Sequence, residues 1–438
     1  MNSMDEADKE KAGWEFNAPQ ADTLKMNDIQ AADVQMPGAQ MSGVQTPTAA
    51  VYTTGGNTFP ANPGTPGSNA ENLVRALELF GAARKEMAKR IVGQEEMIDG
   101  LLTALVAGGH ILLEGVPGLA KTLAVKTLAE ITGLVFKRIQ FTPDLLPADL
   151  TGTLVWEQAT SSFSVRRGPV FANVILADEI NRAPAKVQSA LLEAMEERQV
   201  TIGEKSYPLP SPFFVLATQN PIEHEGTYAL PEAELDRFLL KLLIRYPDQE
   251  EELRILDFAA PFSAGKEIPS VSPAGQIPVE GGAHLQNFGN TVPGGANSVG
   301  LKPVLCEDAL EFLRRAADSV YTDEKILKYI VSVVAASRPA SSKTLPGADG
   351  VRHGMNRPRE GLYRYIAFGA SPRASLALYR CSRIRALLGG RPFVSPEDVK
   401  AAAFPVLRHR LVLSYEAEAD GMEVDTVISR ILTLVPMP

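Results

Sequence analysis

The sequence has little cysteine and no long hydrophobic run. Its two cysteines, Cys306 and Cys381, lie far apart among 438 residues, which suits a reducing compartment and predicts neither a disulfide framework nor a cysteine metal site. No stretch approaches the roughly 20 apolar residues that cross a membrane. The first residues are acidic, so we expect no secretory signal and a cytoplasmic location. A net charge of -9 weighs against binding of nucleic acid.

The length of the chain predicts two domains with additional segments. Residues 1–70 are rich in Pro, Gly, Thr, Ala, Gln and Asn and show no periodicity, so we expect a disordered tail. Residues 248–438 show several amphipathic helical patterns, which predict a smaller, helical domain. A Gly/Pro/Ser-rich segment at 262–303 and a polar segment at 340–361 lack a period. We interpret both as flexible inserts in that domain.

Residues 71–247 are expected to form an α/β domain. Five apolar runs alternate with helical patterns, which indicates a doubly wound, five-stranded parallel sheet with helices on both faces. Two segments with alternating residues and central turns interrupt this order, and each predicts a β-hairpin. The hairpins are expected at 151–169 and 199–212.

A phosphate-binding loop is the motif around which the chain is organised. An apolar run precedes it, a helix follows it, and Lys121-Thr122 stand at the junction. Backbone N–H groups of such a loop surround phosphate oxygens, the lysine reaches the β- and γ-phosphates, and the Thr122 hydroxyl ligates Mg²⁺. Ala120 stands where the general pattern has a second glycine, so an ordinary strand-to-helix turn is the alternative. The predicted nucleotide-binding residues here are Gly115, Val116, Pro117, Gly118, Leu119, Ala120, Lys121, Thr122 and Leu123.

Adjacent acids end a second apolar run. Asp178 and Glu179 follow Val174–Ala177, which predicts that both lie at the carboxyl edge of the sheet, beside the phosphate loop. We expect Asp178 to hold Mg²⁺ through water and Glu179 to polarise the attacking water. An acidic strand end that simply meets solvent is the alternative, and the phosphate loop makes it less favoured.

Three further polar residues are candidates for catalysis. Asn220 follows another apolar run, where it would orient the water or sense the γ-phosphate, although Asn220-Pro221 also favours a turn. Arg237 precedes the last apolar run and is our candidate for an arginine finger that reaches a neighbouring subunit. A surface ion pair is its alternative. Arg373 begins a helix of the second domain, from which it would fold over the nucleotide.

These motifs, in this order, resemble those of the AAA+ ATPases, and the match to the MoxR family is close. The phosphate loop resembles that of the family, in which alanine commonly replaces the second glycine. The segments 177–183, 217–221, 230–238 and 369–375 are similar to its Walker B, sensor 1, arginine-finger and sensor 2 segments. The resemblance covers about 71–261 and 304–438. The two hairpins are similar to insertions that magnesium chelatases and minichromosome maintenance helicases also have.

The resemblance implies an AAA+ core with an all-α lid, ATP and Mg²⁺ as ligands, and a homo-oligomeric ring, with six subunits expected. MoxR-like ATPases are thought to act as chaperones that mature or remodel partner complexes. Their partners often carry a von Willebrand factor A domain. We therefore expect protein clients.

Other classes of function remain open at this point. A DNA-acting motor or loader has local support only from Arg166 and Arg167 in the first hairpin, and a magnesium-chelatase-like subunit is a related possibility. A GTP switch lacks its Asn-Lys-x-Asp motif, and a small-molecule kinase does not explain the adjacent acids with a downstream arginine. A catalytically silent scaffold is disfavoured because the expected catalytic positions are filled. If Arg237 is not the finger, Arg182 and Arg198 are the next candidates.

Overall fold

The structure is a computed structural model that describes residues 51–54, 57–60, 66–115, 119–220, 227–259, 300–339 and 361–438. The chain divides into two compact units, residues 1–69 and residues 70–438. Residues 1–50 and most of the two predicted inserts lie outside the described residues.

The strands, in chain order, are β1 (Val51–Thr54), β2 (Asn57–Pro60), β3 (Ile111–Glu114), β4 (Phe136–Gln140), β5 (Gly152–Glu157), β6 (Ser162–Arg167), β7 (Val174–Asp178), β8 (Gln199–Ile202), β9 (Lys205–Pro208), β10 (Phe214–Gln219), β11 (Leu240–Leu243), β12 (Ile366–Phe368) and β13 (Val412–Leu413). The α-helices are α1 (Pro66–Ala88), α2 (Glu95–Ala107), α3 (Lys121–Thr132), α4 (Pro147–Thr151), α5 (Ala185–Glu197), α6 (Glu232–Leu235), α7 (Gln249–Ala259), α8 (Glu307–Ser319), α9 (Glu324–Ala336), α10 (Pro372–Leu388), α11 (Pro396–Leu407), α12 (Tyr415–Ala419) and α13 (Val424–Leu434).

The first unit contains regular structure that the sequence analysis did not anticipate. β1 and β2 form an antiparallel hairpin, and α1 begins at Pro66, before residue 71. β-branched and aromatic residues such as Val51, Tyr52 and Phe59 favour strands, and proline is favoured in the first turn of a helix. The disordered tail expected over residues 1–70 therefore includes described segments with regular secondary structure.

A five-stranded parallel sheet forms the centre of the second unit, in the order β11-β3-β10-β7-β4. Alternation along each strand sends side chains to opposite faces. Leu113, Leu176 and Leu216 enter one apolar cluster, whereas Leu112 and Ile175 enter another. Helices α1, α2 and α3 contribute to the first cluster and α5 to the second. The predicted layers, with helices on both faces of the sheet, are confirmed.

Both predicted hairpins are present as antiparallel pairs, β5 with β6 and β8 with β9. The carboxyl-terminal part is helical, and its buried residues continue the first apolar cluster of the core. It also contains one small antiparallel sheet, β12 with β13, which the sequence analysis did not predict. Among the described residues, none of the helices is long and apolar enough to cross a membrane.

Helix starts in the lid follow the local sequence. Ser395 and Asp398 form a capping box at the start of α11, with Pro396 as the first helical residue. Ser371 caps α10, since its side chain accepts a hydrogen bond from the Arg373 N–H. This cap fixes where α10 begins and therefore the position of Arg373 in its first turn.

Candidate functional site

A cavity of about 420 Å³ opens at the carboxyl edge of the sheet. Strand register explains why polar residues from separate parts of the chain meet there, because Gln140 pairs with Asp178 and Gln219 with Glu114. The carboxyl ends of parallel strands lie at one edge. The cavity is lined by Ala120, Lys121, Thr122, Leu123, Arg138, Asp178, Glu179, Thr218 and Asn220.

The Thr218 hydroxyl ties the two acids of β7 together. It donates a hydrogen bond to Asp178 Oδ1 at 2.6 Å and accepts one from the Glu179 backbone N–H at 2.8 Å. Thr218 is 1% exposed, so water does not compete for these bonds. Glu179 has a φ of 57°, a left-handed conformation that is uncommon for a residue with a side chain. Its N–H bond to Thr218 helps to hold that conformation.

Two residues of β4 complete the polar network. Arg138 donates from Nη2 and Nε to Asp178 Oδ2, at 2.6 and 3.0 Å. Gln140 donates from Nε2 to Glu179 Oε2 at 2.7 Å and accepts from Arg138 Nη2 at 3.0 Å. Arg182 lies 3.1 Å from the same Glu179 oxygen. Both acids are therefore oriented by side chains on a neighbouring strand.

The described part of the phosphate loop places its lysine beside the acids. Lys121 donates from Nζ to the Gly115 carbonyl at 2.6 Å. Burial lowers the pKa of Lys121, and the nearby charges of Asp178 and Glu179 oppose that shift. Gly115 cannot carry a side chain here, because a Cβ atom would lie 2.9 Å from the Ile244 carbonyl. Val116, Pro117 and Gly118 lie outside the described residues.

Ala120 adopts the conformation for which glycine is usually chosen. Its φ is 54°, and it immediately precedes α3. Left-handed backbone costs about 1–2 kcal/mol in residues other than glycine. Alanine thus supplies the turn of the phosphate loop at the cost of local strain.

Asn220 lines the cavity, but the two arginines predicted to act on the nucleotide do not. Asn220 is buried directly after β10. Arg237 is partly exposed, and within the described ranges its guanidinium has no ion-pair or hydrogen-bond partner. Arg373 pairs instead with Glu196 on α5, with 2.8 Å between Nη2 and Oε1.

Arg198 does not reach the cavity, because its guanidinium is bonded to two backbone carbonyls elsewhere. It donates to the carbonyls of Phe213 at 2.6 Å and Gly108 at 2.8 Å. These carbonyls precede β10 and β3, at the edge of the sheet opposite the cavity. Burial and the charge of Arg314 lower the pKa of Arg198. Of the two reserve candidates, only Arg182 lies beside the site.

Three residues of the cavity network, Arg138, Gln140 and Thr218, were not predicted. Thr218 could have been predicted from the sequence, because it is a polar residue near the end of an apolar run. Arg138 and Gln140 stand two residues apart on β4, so they share one face of the strand. Their relevance depends on β4 pairing with β7, which no local pattern specifies.

Comparison with known proteins agrees with this geometry. Residues 110–240 match the family described as "ATPase family associated with various cellular activities (AAA)", and residues 363–431 match the AAA lid domain. A crystal structure from Cytophaga hutchinsonii, described as that of a candidate ATPase, is similar with a TM-score of 0.67 and 42% identity, over 85% of this chain and 98% of that one. Fold and site together define an ATPase of the AAA+ class.

Relatives of known name give the family within that class. Chaperone MoxR1 of Mycobacterium tuberculosis is 43% identical over 384 residues, which span 88% of this chain and 89% of the relative. Protein MoxR of Methylorubrum extorquens is 30% identical over 362 residues, 81% of this chain and 94% of the relative. The chain belongs to the MoxR family of AAA+ ATPases.

Proposed function

We propose that the chain hydrolyses ATP to ADP and phosphate with Mg²⁺. The observation that carries this proposal is that Lys121, Thr122, Asp178 and Glu179 line one cavity. Hydroxyl and carboxylate oxygens suit Mg²⁺, which is usually held by one or two carboxylates, water and phosphates. A partly buried ammonium group suits phosphate oxygens. When bound, Mg²⁺ neutralises charge on the β- and γ-phosphates.

Five of the residues that line the cavity have distinct parts in this proposal. Thr122 and Asp178 would hold the metal, the latter through water, and Lys121 would bind the phosphate oxygens. Glu179 orients the attacking water and accepts its proton. Asn220 orients the same water or detects the γ-phosphate. Gln140 and Arg182 hold the Glu179 carboxylate at the cavity wall.

Two variants test this assignment. Lys121→Ala should lose ATP binding because it loses phosphate contacts. Glu179→Gln should bind ATP as the native chain does and lose turnover by about 100-fold or more, the usual scale for a positioned acid–base group. Binding is measured with a fluorescent ATP analogue and turnover by phosphate release. Hydrolysis by Glu179→Gln at the native rate would refute the assignment.

The ring belongs to the same proposal. We infer that subunits assemble as a ring, with six expected, in which Arg237 reaches the γ-phosphate of a neighbouring subunit. The partly exposed position of Arg237 supports this, because a finger must leave its own subunit. Arg373 is proposed to act on the nucleotide of its own subunit after the lid moves away from Glu196. The mass of Glu179→Gln with ATP, measured by light scattering, gives the number of subunits.

The cellular role is proposed by similarity to relatives. A relative that is 43% identical is named a chaperone, and we propose that this chain likewise remodels protein partners, such as those with a von Willebrand factor A domain. Glu179→Gln with ATP should retain a partner that the native chain releases on hydrolysis. A DNA-acting motor has weaker support, because the Arg167 guanidinium lies 5.1 Å from the Phe171 ring centroid and so has an intramolecular contact. Binding of DNA that weakens with salt would reverse this choice.

A further inference from the structure

A buried arginine of the lid holds the segment that contains Arg237. The side chain of Arg410 is 3% exposed, and its Nε donates to Asp236 Oδ1 at 2.7 Å. Nη2 donates to the carbonyls of Phe238 at 2.6 Å and Asp236 at 3.2 Å. Nη1 donates to the carbonyl of Leu239 at 3.2 Å. The backbone on both sides of Arg237 is thus fixed by one guanidinium.

The Asp236 carboxylate makes a second connection to the lid. Its Oδ2 accepts a hydrogen bond from the Ser371 Oγ at 2.8 Å, while Arg410 occupies Oδ1. The same Ser371 Oγ accepts a hydrogen bond from the Arg373 N–H at 3.1 Å. One hydroxyl therefore contacts both the residue before Arg237 and the backbone of Arg373.

This arrangement relates two arginines that are proposed to act on different nucleotides. Arg237 would contact the nucleotide of the neighbouring subunit, and Arg373 that of its own subunit. Movement of α10 displaces Ser371 together with Arg373, because Ser371 is the N-cap of that helix and Arg373 lies in its first turn. Ser371 is bonded to Asp236, so the displacement is transmitted to the residue next to Arg237.

We propose that Asp236, held by Ser371 and Arg410, is a positioning residue that couples the lid of one subunit to the finger offered to the next. The inference rests on the proposed roles of Arg237 and Arg373. It adds that the position of the finger depends on the lid of the same subunit. Hydrolysis at the neighbouring site then responds to the nucleotide that this lid covers.

Two substitutions of Ser371 separate this connection from the helix cap. Asparagine and aspartate both cap helices as well as serine does, so α10 should keep its start in either variant. Asparagine also offers an N–H donor for Asp236 Oδ2. Aspartate offers no donor and sets a second negative charge against Asp236. Ser371→Asp therefore breaks the connection, and Ser371→Asn is its matched control.

Mixed rings assign the effect to the finger. A subunit with Arg237→Ala has an intact active site but lacks the finger. A subunit with Glu179→Gln has the finger, but its own active site is inactive. Mixing them should restore activity, after subunit exchange has been verified with differently tagged chains. We then replace Glu179→Gln by the double variant Glu179→Gln/Ser371→Asp, or by Glu179→Gln/Ser371→Asn. The site of the doubly substituted subunit is already inactive, so only its finger is measured.

We expect the aspartate variant to reduce the restored activity by about tenfold or more, since small misplacements of catalytic groups cost up to about 100-fold. The asparagine variant should restore activity as Glu179→Gln does alone. Amide hydrogen exchange in a peptide covering residues 236–240 should be faster in the aspartate variant only. Circular dichroism should show the same helix content for both variants.

Equal restoration by the two double variants would overturn the coupling while leaving the finger assignment intact. If Glu179→Gln alone fails to restore activity in verified mixed rings, the Arg237 assignment fails, and the coupling fails with it. A loss of activity and of exchange protection with asparagine as well as aspartate would also overturn it, because asparagine keeps the donor.

Discussion

Thr218 Oγ1 lies 2.6 Å from Asp178 Oδ1 and donates a hydrogen bond to that oxygen. The same hydroxyl accepts the N–H of Glu179, so one buried group orients the proposed metal-binding acid and the backbone of the proposed base. Side-chain orientation of this kind is what fixes a reactive geometry before substrate binds.

Removal of this hydroxyl should affect turnover more than binding. Thr218→Val keeps the shape of the side chain but leaves the Glu179 N–H without its acceptor. We expect kcat to fall by about 10- to 100-fold, because the base is no longer held in its left-handed conformation. Affinity for ATP should change less than about threefold. Thr218→Ser, which keeps the hydroxyl, is the control, and equal kcat for valine and serine variants would contradict the role.

Arg138 should compete with Mg²⁺ for Asp178. Its two nitrogens contact Asp178 Oδ2, the oxygen that faces away from Thr218. Arg138→Met removes the charge but keeps the length of the side chain. The Mg²⁺ concentration for half-maximal ATPase activity should therefore fall by a few-fold. A loss of ATP affinity at saturating Mg²⁺ would show instead that Arg138 binds phosphate.

Sequence patterns predicted those parts of the site that are encoded locally. Asp178, Glu179 and Asn220 follow apolar runs, and the ends of parallel strands meet at one edge of a sheet. Arg138 could not be found in this way, because its contact with Asp178 depends on which strands are neighbours. The contacts of Arg198, a reserve candidate for the finger, could not be predicted for the same reason. Its partners, the Phe213 and Gly108 carbonyls, are brought to it only by the tertiary fold.

His110 should make stability depend on pH. It is buried, and burial together with the charge of Arg198 lowers its pKa to about 3. In the unfolded chain the pKa is about 6.5, so the unfolded state takes up the proton first as pH falls. The contribution of neutral His110 to stability is fully present above the pKa of the unfolded chain. It is lost as pH falls from about 6.5 towards 3. Between pH 7 and pH 5 the loss should be about 2 kcal/mol.

The variant His110→Asn isolates this contribution. The Nδ1 of His110 accepts the Val215 N–H at 3.0 Å, and an asparagine amide oxygen can accept the same bond without titrating. The free energy of unfolding, from urea curves at pH 7 and pH 5, should therefore fall less in the variant. His409, whose pKa burial also lowers, should supply part of the remaining pH dependence. An unchanged difference between the two pH values would exclude His110 as a source.

The buried pair of Arg410 and Asp236 should matter far more to stability than an exposed pair. Asp236→Ala leaves the Arg410 guanidinium, 3% exposed, without its counter-charge. It keeps only backbone carbonyls as acceptors. Removing one partner of a buried pair costs about 3–5 kcal/mol, and the partial exposure of Asp236 favours the lower end.

Glu311→Ala, which breaks the exposed Arg315–Glu311 pair, should cost less than about 1 kcal/mol. Urea unfolding followed by far-ultraviolet circular dichroism measures both. Similar costs for the two variants would mean that water reaches Arg410 when Asp236 is removed, and that the lid holds the Arg237 segment through its backbone bonds alone.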